Sequence, residues 1–212
     1  MRWGTTIASL LLLGAAPQSQ GVEVATYGTG LLPCSSYLHA REMQGSSSQI
    51  AFINWFAGYL SGANATSSRR NNMLGLSELA TGLERLDGVC RARPEAHFAN
   101  AAGIILMTSN STPGAHSVDV TRYGSGFRPC TSYIGSRQPQ GLDSDEFIDW
   151  LGGYLSGANA MSLKTNDVLG SSELTQAIFW LDDYCTTHPV TPFSLAVSAM
   201  VDASREIKIA RH

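Results

Sequence analysis

The 212-residue chain carries little charge: 14 Lys and Arg against 17 Asp and Glu, for a net charge of -3. With no basic field in it, the sequence speaks against a nucleic-acid binder or a polybasic membrane anchor. The apolar run at residues 7–13 falls far short of the roughly 20 residues a membrane-spanning helix needs. Only four cysteines are present, and neither a C-x-x-C pair nor a nearby His spacing makes a zinc site of them. A phosphate loop, a nucleophile elbow and a cofactor fingerprint are all missing. No metal and no cofactor is expected, and the partners to expect are proteins, peptides or small molecules.

What the chain does have is one stretch written twice. Asn54-Trp55-Phe56-Ala57-Gly58-Tyr59-Leu60-Ser61-Gly62-Ala63-Asn64-Ala65 returns as Asp149-Trp150-Leu151-Gly152-Gly153-Tyr154-Leu155-Ser156-Gly157-Ala158-Asn159-Ala160. Each copy lies between an upstream Pro-Cys (Pro33-Cys34, Pro129-Cys130) and a downstream Cys-x-x-x-Pro (Cys90 to Pro94, Cys185 to Pro189), at an offset of 95 to 96 residues. A self-similarity of that period reads as two tandem units. The expected organisation is an export signal over 1–21, a first helical unit over 22–106, a linker over 107–122 and a second unit over 123–212. The linker composition lets the units either pack together as a pseudo-dimer or move apart.

Arg2, the apolar run and the small residues before Val22 have the order of an export signal, which points to the periplasm or secretion and an oxidising compartment. Four cysteines allow three pairings. The repeat favours Cys34 with Cys90 and Cys130 with Cys185, since each unit then closes its own loop of matched length. A loop of that size is worth roughly 4 kcal/mol in the chain-entropy account, comparable to the stability of a small domain.

Apolar residues at helical spacing (Ile53, Phe56, Ala57, Leu60; Ile148, Leu151, Tyr154, Leu155) predict a first major helix over about 49–61 and 145–156. Ser46 to Ser48 and Asp143 or Ser144 are its candidate N-caps. Gly58 and Gly62, like Gly153 and Gly157, sit four apart on one side, a pattern that permits another helix to approach closely, with Gly62 and Gly157 also near a C-cap. Ser77-Glu78 and Ser172-Glu173 announce a second helix, and a third follows near 96–106 and 192–207. The fold class is all-α, two small helical units each closed by one disulfide.

A catalytic centre would gather a base, a nucleophile or a metal at one place, and the two copies provide an internal test of that. His39, His97, His116 and His188 have no histidine at the matched position, so no histidine-based site is doubled. The doubled polar groups are Tyr59/Tyr154, Ser61/Ser156, Asn64/Asn159, Ser77/Ser172, Glu78/Glu173 and Asp87/Asp182, and each has a structural role at a helix end or in a core. A pocket of Tyr154, Ser156, Asn159 and Asp182 is the competing reading. Trp55 and Trp150 fit a core stripe better than a stacking site. No catalytic residue is assigned and the chain is read as a non-enzyme.

Cys130-x-x-Tyr133, Phe147-Ile148-Asp149-Trp150-x-x-Gly153-Tyr154-x-x-Gly157, Trp180-Leu181-Asp182-Asp183-Tyr184-Cys185-x-x-x-Pro189 and Ala196-x-x-x-Met200-Val201 together resemble the HdeA/HdeB-type periplasmic proteins. Cys34, Trp55, Gly58-Tyr59, Cys90 and Pro94 carry the same resemblance in the first unit. It implies an acid-stress chaperone that loosens at low pH and offers apolar surface to unfolded clients. Those proteins are single units, whereas this chain is a fused pair. The Gly-Tyr-Leu-x-Gly helix with its Cys-x-x-x-Pro segment is also similar to small helical immunity proteins that block periplasmic amidase effectors of type VI secretion. For that role Arg69-Arg70-Asn71-Asn72 and Lys164-Thr165-Asn166-Asp167 are the candidate contacts.

Overall fold

Pro33 and Pro129 launch the first helix of each half of the chain. Both hold the N-cap position with extended backbone (φ -69° and -70°), where proline's fixed φ fits and its missing N–H is no loss. The computed structural model describes residues 24–67, 79–108, 122–137, 144–170 and 173–209. The expected export signal, Ser77-Glu78, Ser172, Asp143, His116, residues 109–121 of the linker and the Arg69 to Asn72 contacts lie outside the described residues.

The described residues form eight α-helices: α1 Cys34–Glu42, α2 Ser47–Thr66, α3 Leu79–Ala92, α4 Phe98–Thr108, α5 Cys130–Ser136, α6 Ser144–Met161, α7 Leu174–Thr187 and α8 Phe193–Ile209. A 3-10 turn precedes each set of four, at Gly28–Leu31 and Gly124–Phe127. The second half thus repeats the element order of the first. No strand occurs among the described residues, only the isolated bridges Pro33 to His97 and Pro129 to Pro192. The all-α class therefore holds, and so do the disulfides Cys34–Cys90 and Cys130–Cys185, each tying the start of the first helix to the end of the third.

Ser46 caps α2 as its type requires: its hydroxyl accepts from the Gln49 N–H at 3.1 Å, and the Gln49 amide oxygen accepts from the Gly45 N–H at 2.7 Å. This is the reciprocal logic of a capping box. The helix then runs beyond the expected boundary, to Thr66, and α6 runs to Met161. Gly62 and Gly157 are consequently interior residues and not caps. An interior glycine costs up to about 1 kcal/mol of helix stability against alanine, a cost accepted here for packing. At α7 the N-cap position is occupied by Glu173 itself, without a side-chain cap bond.

Each half has an aromatic core of the same design. Tyr37, Phe52, Trp55 and Phe98 pack with ring centroids 4.8 to 5.5 Å apart, edge-on or tilted. Tyr133, Phe147, Trp150 and Phe193 repeat the cluster at 4.7 to 5.8 Å. Burial of such rings contributes several kcal/mol per half, with edge-to-face geometry adding a further ~0.5–1.5 kcal/mol per pair.

Candidate functional site

The doubled residues meet where α2 crosses α6. A methyl group built on Gly58 would stand 2.0 Å from the Trp150 carbonyl oxygen, and one on Gly153 would stand 1.9 Å from that of Trp55. Gly62 meets the Tyr154 carbonyl and Gly157 the Tyr59 carbonyl in the same way, each at 2.0 Å. The two backbones touch, and no side chain larger than hydrogen fits at any of the four positions. The spacing of four in each helix was the legible sign of this seam.

Around the seam the polar contacts are reciprocal. The Trp55 indole donates to the Tyr27 carbonyl at 2.8 Å, and the Tyr27 N–H donates to Ser156 Oγ of α6 at 2.9 Å. Trp150 donates to the Tyr123 carbonyl at 2.7 Å, and the Tyr123 N–H donates to Ser61 Oγ of α2 at 2.9 Å. Thr29 donates to Asp149 at 2.6 Å across the seam, while Ser125 faces Asn54 at 3.1 Å and donates to Glu146 at 2.5 Å. Each half's leading segment is thereby held between its own tryptophan and the other half's helix. Gly28 and Gly124, at φ +60° and +61°, turn the chain into these clamps, and Gly30 and Gly126 leave room for the indole rings.

This placement decides what the sequence-selected residues do. Trp55 and Trp150 are fully buried; Tyr59, Tyr154, Ser156 and Asn159 are buried as well. The Ser156 hydroxyl donates to the Gly152 carbonyl while accepting from Tyr27, and Ser61 donates to Ala57 while accepting from Tyr123. A serine so committed has no geometry for nucleophilic attack. Asn159 donates to the Ala25 carbonyl at 2.8 Å and accepts from the Val168 N–H at 2.6 Å, which seats Val168 and Leu169 in the second core. Ser61 and Ser156 therefore bond within their helices and across to the other half, while Asn64 and Asn159 lie in the last turns of α2 and α6.

Asp182 stands apart from Tyr154, Ser156 and Asn159 in function as well as in contacts. It accepts from the Tyr133 hydroxyl at 2.7 Å and from Arg137 Nε at 3.2 Å. Asp87 takes the same part in the first half, accepting from Tyr37 at 2.5 Å and from Arg41 through two nitrogens at 3.1 Å. These Tyr-Asp-Arg clasps join α1 to α3 and α5 to α7 beside the disulfides. Burial first, and then the neighbouring carboxylate, push the Tyr37 and Tyr133 hydroxyls far above the ordinary tyrosine value. Hydrogen bonding to the aspartates raises Arg41 and Arg137 too. The arginines of the clasp were not selected from the sequence, and Tyr133 entered only as part of the Cys130-x-x-Tyr133 motif, although Cys-x-x-Tyr-x-x-x-Arg stands at both Cys34 and Cys130.

Among the described residues no group of three or more His, Cys, Asp or Glu is placed to hold a metal ion, and no helix is long and apolar enough to cross a membrane. His39 lies 3.8 Å from Glu42 on the surface, and His188 stacks on Tyr184 at 4.2 Å. Comparison with protein-family models, with curated proteins and with solved structures finds no match.

Proposed function

We propose that the chain is an exported, non-enzymatic polypeptide-binding protein, an HdeA-like acid-stress chaperone of the periplasm or cell exterior. In this reading its two duplicated units pack as an intramolecular pseudo-dimer. The observation that carries it is the doubled Tyr-Asp-Arg clasp, closed over an aromatic core and set beside a disulfide. In strong acid the chain as a whole becomes cationic, and its positive charges then repel one another. The helices loosen and the aromatic faces become available to unfolded clients, while each disulfide keeps its loop closed. The deciding experiment is aggregation of a client protein at about pH 2.5 and at neutral pH, with near-UV circular dichroism of the oxidised protein alongside. Protection in acid together with loss of tertiary signal supports the reading; a native spectrum and no protection at either pH ends it.

One observation favours a second reading, that of an immunity or inhibitor protein against a cell-wall hydrolase. The Lys164-Thr165-Asn166-Asp167 loop is held by hydrogen bonds, Thr165 to the Asp167 carbonyl at 2.8 Å, Tyr27 to Asp167 at 2.6 Å and Ala25 N–H to the Asn166 carbonyl at 2.9 Å. It carries Leu163 at 96% exposure. A preorganised loop with a projecting apolar residue suits a tight partner at neutral pH, and Leu163→Ala would then weaken a neutral-pH complex without altering the fold.

A further inference from the structure

The seam between α2 and α6 is self-complementary, because each half contributes the same set of groups to it. The first half brings Gly58 and Gly62, which admit the carbonyls of Trp150 and Tyr154, the Ser61 hydroxyl, which accepts from the Tyr123 N–H, and the Tyr27 N–H, which donates to Ser156. The second half brings Gly153 and Gly157, Ser156 and the Tyr123 N–H to the matching places. Thr29 reaches Asp149 in one direction, and Ser125 reaches Asn54 in the other. None of these contacts involves residues 109–121, which join the halves. They require a first half to meet a second half, and they are indifferent to whether the two share a chain.

The cores and staples have the same independence. Tyr37, Phe52, Trp55 and Phe98 pack within the first half, and Tyr133, Phe147, Trp150 and Phe193 within the second. Each disulfide closes inside its own half. We propose that the seam also joins two copies of this chain: α2 of one packs on α6 of the other, and the remaining halves pair in the same way, giving a half-exchanged dimer. Every seam contact of the monomer recurs in that dimer, so the two forms differ in chain connectivity alone. The monomer is favoured by the local concentration of one half around the other, roughly millimolar where a short linker joins two modules. The dimer takes over when the chain is opened and reclosed near that concentration, and it persists afterwards because its return requires both seams to open. A second copy is the occupant the observations select. A partner must offer two glycines four residues apart, a hydroxyl acceptor and an N–H donor in one register, and this chain already carries that register. The proposal goes beyond the chaperone reading and does not depend on it.

The test uses the full oxidised chain at neutral pH, opened in guanidinium chloride and returned to buffer at about 1 mM and at about 10 μM, with mass read by light scattering. A species of twice the chain mass is expected in the concentrated sample and monomer in the dilute one, with the same near-UV circular dichroism for both. The isolated dimer should keep its mass for hours after dilution and return to monomer only on reopening, which separates half exchange from surface association. Gly58→Val and Gly153→Val then address the seam directly. Opened and reclosed together, the two variants should form a dimer in which the intact first half of the Gly153→Val chain meets the intact second half of the Gly58→Val chain. Native near-UV signal should return in that mixture above what either variant gives alone. Monomer at both wild-type concentrations overturns the proposal, as does a dimer that dissociates on dilution. A stable dimer from Gly153→Val alone also overturns it, since first halves would then pair with each other. Should either variant aggregate, the wild-type concentration series decides by itself.

Discussion

The inner and outer surfaces of the two halves differ in how far they agree. Inside, the correspondence reaches individual atoms: tryptophan to tyrosine carbonyl, tyrosine N–H to serine hydroxyl, glycine to carbonyl, each in both directions. Outside, Arg85 and Val89 of α3 and Arg93 just after it stand at the positions matched by Trp180 and Tyr184 of α7 and His188 just after it. On the rim, Arg128 pairs with Glu146 at 3.0 Å in the second half where the first half has Leu32 and Ala51. The seam tolerates no change of volume because two backbones are in contact there, while α3 and α7 each carry exposed positions, Gly88 and Asp183 among them, where volume is less constrained. Each half therefore keeps its own outer chemistry on a shared interior.

The strongest way to break the comparison is at the seam. Gly58→Val and Gly153→Val each force a side chain into a carbonyl oxygen, and a loss of about 4 kcal/mol or more is expected for both, read by chemical denaturation. A large loss at one and a small loss at the other would show that the seam is not reciprocal in energy. Next come Trp55→Ala and Trp150→Ala, each removing a fully buried ring at a cost of about 3–5 kcal/mol; the two should agree to within about 1 kcal/mol.

The clasps should separate the halves. Asp87 is the more enclosed carboxylate, its side chain 12% exposed against 29% for Asp182. Asp87→Asn is expected to cost about 2–3 kcal/mol and Asp182→Asn about 1 kcal/mol, since an unpaired group is penalised more the less water reaches it. Equal losses would remove the distinction.

Alkali tests both cores together. Burial raises the hydroxyls of Tyr27, Tyr37, Tyr59 and Tyr133 above the ordinary tyrosine value. The folded chain thus holds protons that the unfolded chain releases. This stabilisation is complete below about pH 10 and is lost as the pH rises towards the raised values. Tyrosinate absorbance from these four should appear together with unfolding and not before it. The smallest effect expected is at Gly88, where alanine meets no neighbour and should add up to about 1 kcal/mol by helix propensity alone. The seam glycines cannot show that gain.

Much of this was legible in the chain. The Trp-x-x-Gly-Tyr-x-x-Gly spacing indicated a helix that another helix approaches closely, and the repeat reduced three cysteine pairings to the one observed. The helix ends were misjudged because a glycine near the end of an apolar stripe has the same sequence signature whether it terminates a helix or admits a neighbour. The clasps were missed for a different reason. Tyr37 and Asp87 lie 50 residues apart, and Tyr133 and Asp182 lie 49 apart, so only the disulfide-closed loop brings them together. The doubled Cys-x-x-Tyr-x-x-x-Arg was visible, but helical spacing alone assigned Arg41 and Arg137 no partner.

The leading clamp has a consequence for the order in which the chain acquires its shape. Tyr27 and Ala25 find their partners in Ser156, Asn159 and Asp167, between 129 and 140 residues further on. In a chain delivered from its N-terminal end, the first half waits for the second before its opening segment can dock. Contacts of such long separation slow folding, because a large loop must close before they form. Until the last clamp is made, the glycine face of α2 stays uncovered.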